Sequence, residues 1–284
     1  MYKHPTVSVL MPVYNTQESH LREAIESILK QTHTDFELLI LNDCSTDPNV
    51  ERVVLSYQDK RVKYEKNERN LGISGSRNKL VRMARGKYVA VMDHDDVSLP
   101  GRLAAQVAYL EQNPDIGVVG SFAHELLSGK TLTQPVEDED IKAAMIFRSS
   151  IFHPAAMLRR SMFKLAEYEE TYTPAEDYAL WCRLLPHTRF HNIPEILFAY
   201  RNHKNNTSHL QKRRTAEVSE RIRGFVKREN PELYAEALER ATVTTRVSLF
   251  GFLPFLTYTR KGGRCSCKLF NCIPLWTGKT KTIV

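Results

Sequence analysis

The sequence predicts an α/β fold, a mainly parallel sheet with helices on both faces, and three observations predict it. Apolar, β-branched runs alternate with stretches of helical spacing through the first 120 residues. The runs are short and mostly apolar, as in strands buried on both faces. Polar turn and helix-capping residues follow them.

Residues 7–11 make the first strand, ended by Pro12. Leu21, Ile25, Ile28 and Leu29 then fall at helical spacing. Residues 36–41 give a second buried strand, and 42–48, dense in turn and cap residues, lead to a helix over 50–57. Residues 62–64 form a short strand, and 74–84 a helix stopped by Gly86. A fourth strand over 88–92 runs directly into Asp93-His94-Asp95-Asp96. Pro100 opens a helix reaching residue 110, and 116–119 is a fifth strand. Beyond 121 the pattern is less regular. Helices are expected near 138–147 and 175–185, a strand at 196–200, a long charged helix over 207–228, and another started by Pro231. From 246 the chain differs in kind: two apolar, aromatic clusters interleave with Arg260, Lys261, Arg264, Lys268, Lys279 and Lys281.

The 284 residues can bury a sizeable core. No run of 18 apolar residues exists, so no spanning helix is expected. The first residues lead into a strand without an apolar leader, so secretion is not expected. Five cysteines, an odd number, suit reduced thiols in a cytoplasm, and Cys265, Cys267 and Cys272 lack the fourth ligand and the spacing of a zinc site. Residues 1–200 hold 23 Lys+Arg against 27 Asp+Glu, a net of −4, and residues 201–284 hold 17 against 6, a net of +11. The basic balance therefore belongs to the C-terminal third. It points to an anionic membrane surface rather than nucleic acid, because the aromatic runs beyond 246 are too short to span and are flanked by cations. The Arg/Lys-rich helix at 212–228 reads as a solvated face.

Open parallel sheets bind ligands at the carboxyl ends of their strands. Asn15 follows the first strand, Asp43 the second and the Asp93 run the fourth, so the three converge on one crevice. Packing alone would avoid three carboxylates within four residues at the end of a buried strand, since like charges repel and desolvation is costly. A divalent cation resolves that conflict, and hard oxygen ligands suit Mg²⁺ or Mn²⁺. The bland alternative is a polar turn with Asp96 or Ser98 capping the next helix.

The N-terminal stretch Val7-Ser8-Val9-Leu10-Met11-Pro12-Val13-Tyr14-Asn15 resembles the opening strand of the family-2 inverting glycosyltransferases, which have the GT-A fold. Ordered matches follow: Ser27 to Thr32, Phe36 to Asp43 with Ser45-Thr46-Asp47, Asn70-Leu71-Gly72 with Arg77-Asn78, Gly86-Lys87-Tyr88, and Met92 to Asp96 with Pro100 and Arg102-Leu103. A later Glu176-Asp177 resembles the family's E-D block. The resemblance covers roughly residues 5–205.

It implies roles residue by residue. Asp43 would hydrogen-bond the nucleotide base, and Pro12, Tyr14 and Asn15 would wall its pocket. Arg77 would face the diphosphate. Asp93 and Asp95 match the D-x-D positions, Asp93 contacting the ribose region and Asp95 coordinating the metal. Asp96 would orient the donor sugar. His94, the middle residue of D-x-D, is counted with the nucleotide-sugar residues although its side chain is expected to point away. Asp177 matches the general base, and Glu176 would orient it or touch the acceptor. His153 would line the donor or acceptor pocket, and His203 would reach the metal or diphosphate. The rival readings are local: Asp43 capping the following helix, Arg77 pairing with a surface carboxylate, Asp177 capping its own helix.

The implied enzyme moves a hexose or N-acetylhexosamine from a nucleoside-diphosphate sugar, with UDP expected, to a hydroxyl of a glycan or lipid-linked oligosaccharide. It inverts configuration and depends on Mn²⁺ or Mg²⁺. The resemblance is to the lipopolysaccharide, capsule or exopolysaccharide type, working in the cytoplasm on the inner face of the membrane. Residues 1–205 would be the catalytic domain, with a nucleotide-binding half (1–120) and an acceptor-binding half (121–205). Residues 206–284 would supply C-terminal helices and a membrane-associating tail. A sugar nucleotidyltransferase should show a Gly-rich loop after the first strand, which Pro12-Val13-Tyr14-Asn15 is not. A nucleic-acid-binding protein would not need the acidic crevice.

Overall fold

The computed structural model describes residues 4–203 and 210–240 and, beyond them, four strands between residues 242 and 279, with side chains described as far as Ala237. Strand and helix alternate from the start: β1 (Val7–Val13), α1 (Glu18–Leu29), β2 (Phe36–Asn42), α2 (Pro48–Leu55), β3 (Val62–Lys66), α3 (Gly72–Met83) and β4 (Tyr88–Val91). The short β5 (Val97–Ser98), α4 (Arg102–Gln112), β6 (Ile116–Glu125), the short β7 (Thr131–Leu132) and α5 (Asp138–Met145) come next. They are followed by β8 (Met157–Arg159), α6 (Glu176–Leu184) and β9 (Arg189–Tyr200). Helices α7 (Lys212–Glu229) and α8 (Pro231–Arg240) then precede β10 (Thr242–Leu249), β11 (Leu253–Lys261), β12 (Arg264–Leu269) and β13 (Ile273–Lys279).

The main sheet runs β3-β2-β1-β4-β8-β6-β9-β5, with β7 beside β6. It is parallel from β3 to β4. Beyond β4 it is mixed: β8 lies antiparallel to both β4 and β6, whereas β6 and β9 are parallel. Every residue of β1 and β2 is buried, as expected of central parallel strands covered on both faces. One apolar core lies on each side of the sheet; Met11, Ile25 and Ile40 belong to one, and Leu10, Leu39 and Trp181 to the other.

β1 continues past Pro12, and the register explains why. Val13 O accepts from Asp43 N on the β2 side, so the backbone nitrogen of Pro12 faces the other way, toward β4. β4 pairs with β1 only as far as Leu10, so no ladder bond is lost where proline has no N–H. Gly86 is fixed by close approach: a Cβ there would meet Ser8 N at 2.5 Å and Tyr88 O at 2.8 Å, both backbone atoms that cannot yield. Gly86→Ala is therefore expected to cost about 1–3 kcal/mol, as overpacking does, and a thermal melt of the variant checks it.

Gln31, within the matched Ser27–Thr32 stretch, ties α1 to α4. Its Nε2 donates to Leu99 O at 2.8 Å, and its Oε1 accepts from Leu103 N at 2.9 Å. The C-terminal helices are present as α7 and α8. After Arg240 the chain becomes a four-stranded antiparallel meander, β10-β11-β12-β13. The side chains of the expected membrane-associating tail lie outside the described residues.

Candidate active site

The carboxyl ends of β1, β2 and β4 carry the polar residues picked out by their position after the strands. Asn15 adopts φ 44°, a left-handed conformation that asparagine tolerates. Its Oδ1 accepts from Thr46 N at 3.0 Å and lies 3.3 Å from Asp47 N, so it ties the end of β1 to the loop before α2. Pro12 is buried beside it, and Tyr14 is 46% exposed at the rim.

Asp43 is buried, and its Oδ1 accepts from Asn67 Nδ2 at 2.7 Å and from Leu71 N at 2.8 Å. It does not cap α2. Asp47 does, accepting from Asn49 N at 2.9 Å with Pro48 in the first turn. Asp43 Oδ2 has no protein donor among the described residues, which leaves that oxygen for a ligand.

Asp93, Asp95 and Asp96 differ in surroundings although they share one turn. Asp93 is the most open, its side chain 30% exposed. Asp95 Oδ2 lies 2.9 Å from His203 Nε2, and the Asp95 carbonyl accepts from Arg201 Nε at 2.7 Å. Asp96 is almost wholly buried; Oδ1 accepts from Arg201 N at 2.7 Å, and Oδ2 is buried without a partner. Burial first, then the neighbouring Asp95 and Asp93, pushes the Asp96 carboxyl well above its ordinary range. His94 is half-buried, its Nδ1 without a protein partner.

Arg77 joins this turn to the helix that carries Glu176 and Asp177. From the buried face of α3 its Nη1 donates to Glu176 Oε1 at 2.6 Å and its Nη2 to Asp93 Oδ1 at 3.1 Å. Burial opposes the charge, but Asp93 and Glu176 outweigh it and hold the guanidinium firmly protonated. Its carboxylate partners are thus buried or half-buried residues of the crevice, not surface ones. The carbon of the guanidinium lies 5.5 Å from the centroid of the Tyr168 ring, and Tyr168 Oη in turn is 2.8 Å from His153 Nε2. His153 is buried behind Tyr168 and Trp181. Burial, with the charges of Arg77 and Arg102, keeps its imidazole neutral, so it presents no charge to a diphosphate.

Asp177 stands in the first turn of α6, half-buried, its Oδ1 accepting from Tyr178 N at 2.7 Å. Burial and the adjacent Glu176 push its carboxyl up to about 6, against the opposing pull of Arg77. A carboxylate poised there suits general-base work near neutral pH. The capping rival has partial support, since Asp177 takes a backbone N–H of its own helix.

Three contributors escaped sequence reasoning as functional residues. Arg102 was matched without a role. It is fully buried, with Nη2 donating to Val91 O at 2.8 Å and Ala156 O at 3.1 Å, so it pins the end of β4 just before Asp93. Burial pulls its guanidinium down to about 9, with Asp96 and Asp93 resisting. Arg201 holds Asp95 and Asp96 through main-chain contacts and pairs with Glu23. Its signal was available, since it is another charged residue directly after an apolar strand. Asn67, after β3, is a third, and its partner Asp43 was the only hint.

Among the described residues no cluster of three or more ligating side chains forms a closed metal cage. Asp95 and His203 offer an oxygen and a nitrogen 2.9 Å apart at the crevice. That set fits a cation held by one or two protein ligands with its remaining positions filled by phosphate oxygens and water.

Residues 8–165 match glycosyl transferase family 2. A Methanocaldococcus jannaschii protein described as an uncharacterized glycosyltransferase is 37% identical over 220 residues, covering 74% of this chain and 76% of that protein. The chain belongs to glycosyl transferase family 2. Its fold resembles S. aureus TarS (residues 1–349) with a TM-score of 0.65 at 21% identity, over 82% of this chain and 71% of that one; TarS has also been solved with UDP and with UDP-GlcNAc. It also resembles the mannosyltransferase PcManGT of Pyrobaculum calidifontis, solved with GDP-Man and Mn²⁺, with a TM-score of 0.57 at 17% identity, over 83% of this chain and 74% of that one.

Proposed function

We propose that this glycosyltransferase moves a hexose or N-acetylhexosamine from a UDP-sugar to a hydroxyl of a glycan or lipid-linked oligosaccharide acceptor, with inversion at the anomeric carbon. One observation carries the reading: Arg77 bridges Asp93, in the acidic turn after β4, to Glu176, the neighbour of Asp177. A leaving-group half and an attacking half are thereby fixed to each other. Asp177 takes the proton of the acceptor hydroxyl as its oxygen bonds to the anomeric carbon. The bond from that carbon to the diphosphate oxygen breaks on the opposite face, and UDP leaves. Asp43 receives the base through Oδ2, and Asp93 the ribose.

Asp95 and His203 would hold Mn²⁺ or Mg²⁺, which when bound supplies charge stabilisation to the departing diphosphate. The nucleotide-bound TarS and the Mn²⁺-bound PcManGT support this choice of donor and metal. UDP is expected to raise the melting temperature in the presence of Mn²⁺, and Asp95→Asn to remove the Mn²⁺-dependent part of that shift. A panel of nucleotide sugars scored by donor hydrolysis tests the whole reading; no hydrolysis of any UDP-sugar would overturn it.

The acceptor and the location form part of the same proposal. No helix among the described residues is long and apolar enough to cross a membrane. The basic, aromatic stretch from 246 to 284 is proposed to rest on the anionic inner face of the cell membrane, bringing the crevice to a lipid-linked acceptor of cell-surface polysaccharide synthesis. Sedimentation with anionic vesicles, with and without those residues, checks it; equal binding would discard the idea.

A further inference from the structure

The Arg77 bridge is made of single hydrogen bonds. Nη1 donates to Glu176 Oε1 and Nη2 to Asp93 Oδ1, while Arg77 Nε and Glu176 Oε2 are buried with no partner among the described residues. A guanidinium is fixed in its plane when one carboxylate takes two of its N–H groups at once, and neither pair here is of that kind. Two one-armed bonds leave the plane free to tilt about the line between Nη1 and Nη2. The group packed on it is the Tyr168 ring, whose centroid lies 5.5 Å from the guanidinium carbon. A ring face attracts a desolvated cation without adding a charge.

Tyr168 is itself held at both ends. Asn78 Nδ2 donates to Tyr168 O at 2.7 Å, and Asn78 Oδ1 accepts from Tyr168 N at 3.0 Å, a two-point clamp on the backbone. At the tip of the ring, Oη lies 2.8 Å from His153 Nε2. Burial keeps the phenol protonated, against the pull of Arg77, and the imidazole is neutral, so the pair braces the ring without a charge of its own. Ser74, Arg77 and Asn78 share one face of α3, and all three reach the segment that ends at Glu176. Ser74 Oγ lies 3.0 Å from Thr173 Oγ1. From the other side Arg221 of α7 donates to Thr171 O at 2.6 Å. The helix that supplies the guanidinium thus also sets the ring that packs on it.

We propose that Tyr168, clamped by Asn78 and His153, is a positioning residue whose ring holds the Arg77 guanidinium in its bridge from Asp93 to Glu176, beside Asp177. This rests on the glycosyltransferase reading above. The charged and titratable groups around Asp177 are Glu176 and Cys182 on its own helix, Arg77 on α3, Asp93 after β4, and Tyr168. Arg77 is the cation of that set, so a guanidinium that swings away releases the Asp177 carboxyl from its pull.

Transfer from a UDP-sugar would be followed against pH, alongside thermal melts, for the full-length chain, Tyr168→Leu, Tyr168→Phe, Asn78→Ala, Arg77→Gln and the Tyr168→Leu/Arg77→Gln double variant. Tyr168→Leu and Asn78→Ala are expected to lower transfer about tenfold and to carry the acidic limb of the rate to higher pH. Tyr168→Phe, which keeps the aromatic face and the backbone clamp, should hold the limb near pH 6. In the melts, Tyr168→Leu should cost less in the Arg77→Gln background than in the parent chain, because the contact is already gone. An unmoved limb in Tyr168→Leu and Asn78→Ala, or an equal loss of melting temperature in both backgrounds, would make the ring mere core filling and overturn the proposal. If Tyr168→Leu does not fold, the limb of Asn78→Ala decides, since that variant keeps the ring and every charge. The melts need no activity: a parent chain that transferred no sugar would sink the glycosyltransferase mechanism, while the double variant would still test the contact.

Discussion

Asp177→Asn is expected to lower sugar transfer by about 10²–10⁴-fold, the usual contribution of a positioned base, while leaving UDP binding largely intact. The two effects separate because Asp177 lies on α6, whereas Asp43 and Asp93, proposed to receive the base and the ribose, follow β2 and β4. In the unsubstituted chain the acidic limb of the rate should fall near pH 6, where Asp177 takes up a proton. The residual activity of the asparagine variant should show no such limb. Stability should move the other way. Burial and Glu176 raise the folded-state pKa of Asp177 above that of an unfolded aspartate, so its contribution to stability is fully present below the unfolded value and is lost as pH rises through about 6. Above that pH the variant, carrying no buried charge there, is expected to melt higher than the parent chain. A variant that transferred sugar normally would remove Asp177 from the role of base, and one that melted lower at pH 8 would contradict the upward shift of its carboxyl.

The sheet was legible where one physical cause dominates. β1, β2 and β4 are buried on both faces, so their apolar runs stand out, and the residues that follow them necessarily gather at one edge of the sheet. β8 was not legible. Met157–Arg159 is three residues long and owes its conformation to the gap between β4 and β6, which no local pattern records. The two-residue β5 and β7 escaped for the same reason. At the site, carboxylates were easy to pick out because a buried cluster of them contradicts packing. Their organisers were not. Arg102 on α4 looks like an ordinary helical arginine until β4 and the Ala156 carbonyl close over it. Arg221 looked solvated because its partner, the Thr171 carbonyl, is 50 residues away in sequence.

Replacing Arg77 by glutamine should cost both stability and catalysis, because one guanidinium neutralises carboxylates from two different parts of the chain. Its own side chain is 7% exposed and that of Glu176 is 8% exposed, so solvent screens the pair little. Removing one member of such a buried pair typically costs about 3–5 kcal/mol, since the other charge is left uncompensated. Asp93, more open at 30%, would lose less. Arg77→Lys keeps the charge but not the two-armed reach from Glu176 Oε1 to Asp93 Oδ1, so it should recover part of the stability and little of the rate. The pH profile distinguishes a catalytic link from a scaffold. Arg77 is the charge that pulls Asp177 downward. Without it the acidic limb of the rate should move to higher pH in Arg77→Gln and stay near its original position in Arg77→Lys. If both variants lost activity with the limb unmoved, Arg77 would be only a brace between two halves of the fold. A displaced limb would mean that the arginine bridging Asp93 to Glu176 also sets the basicity of Asp177.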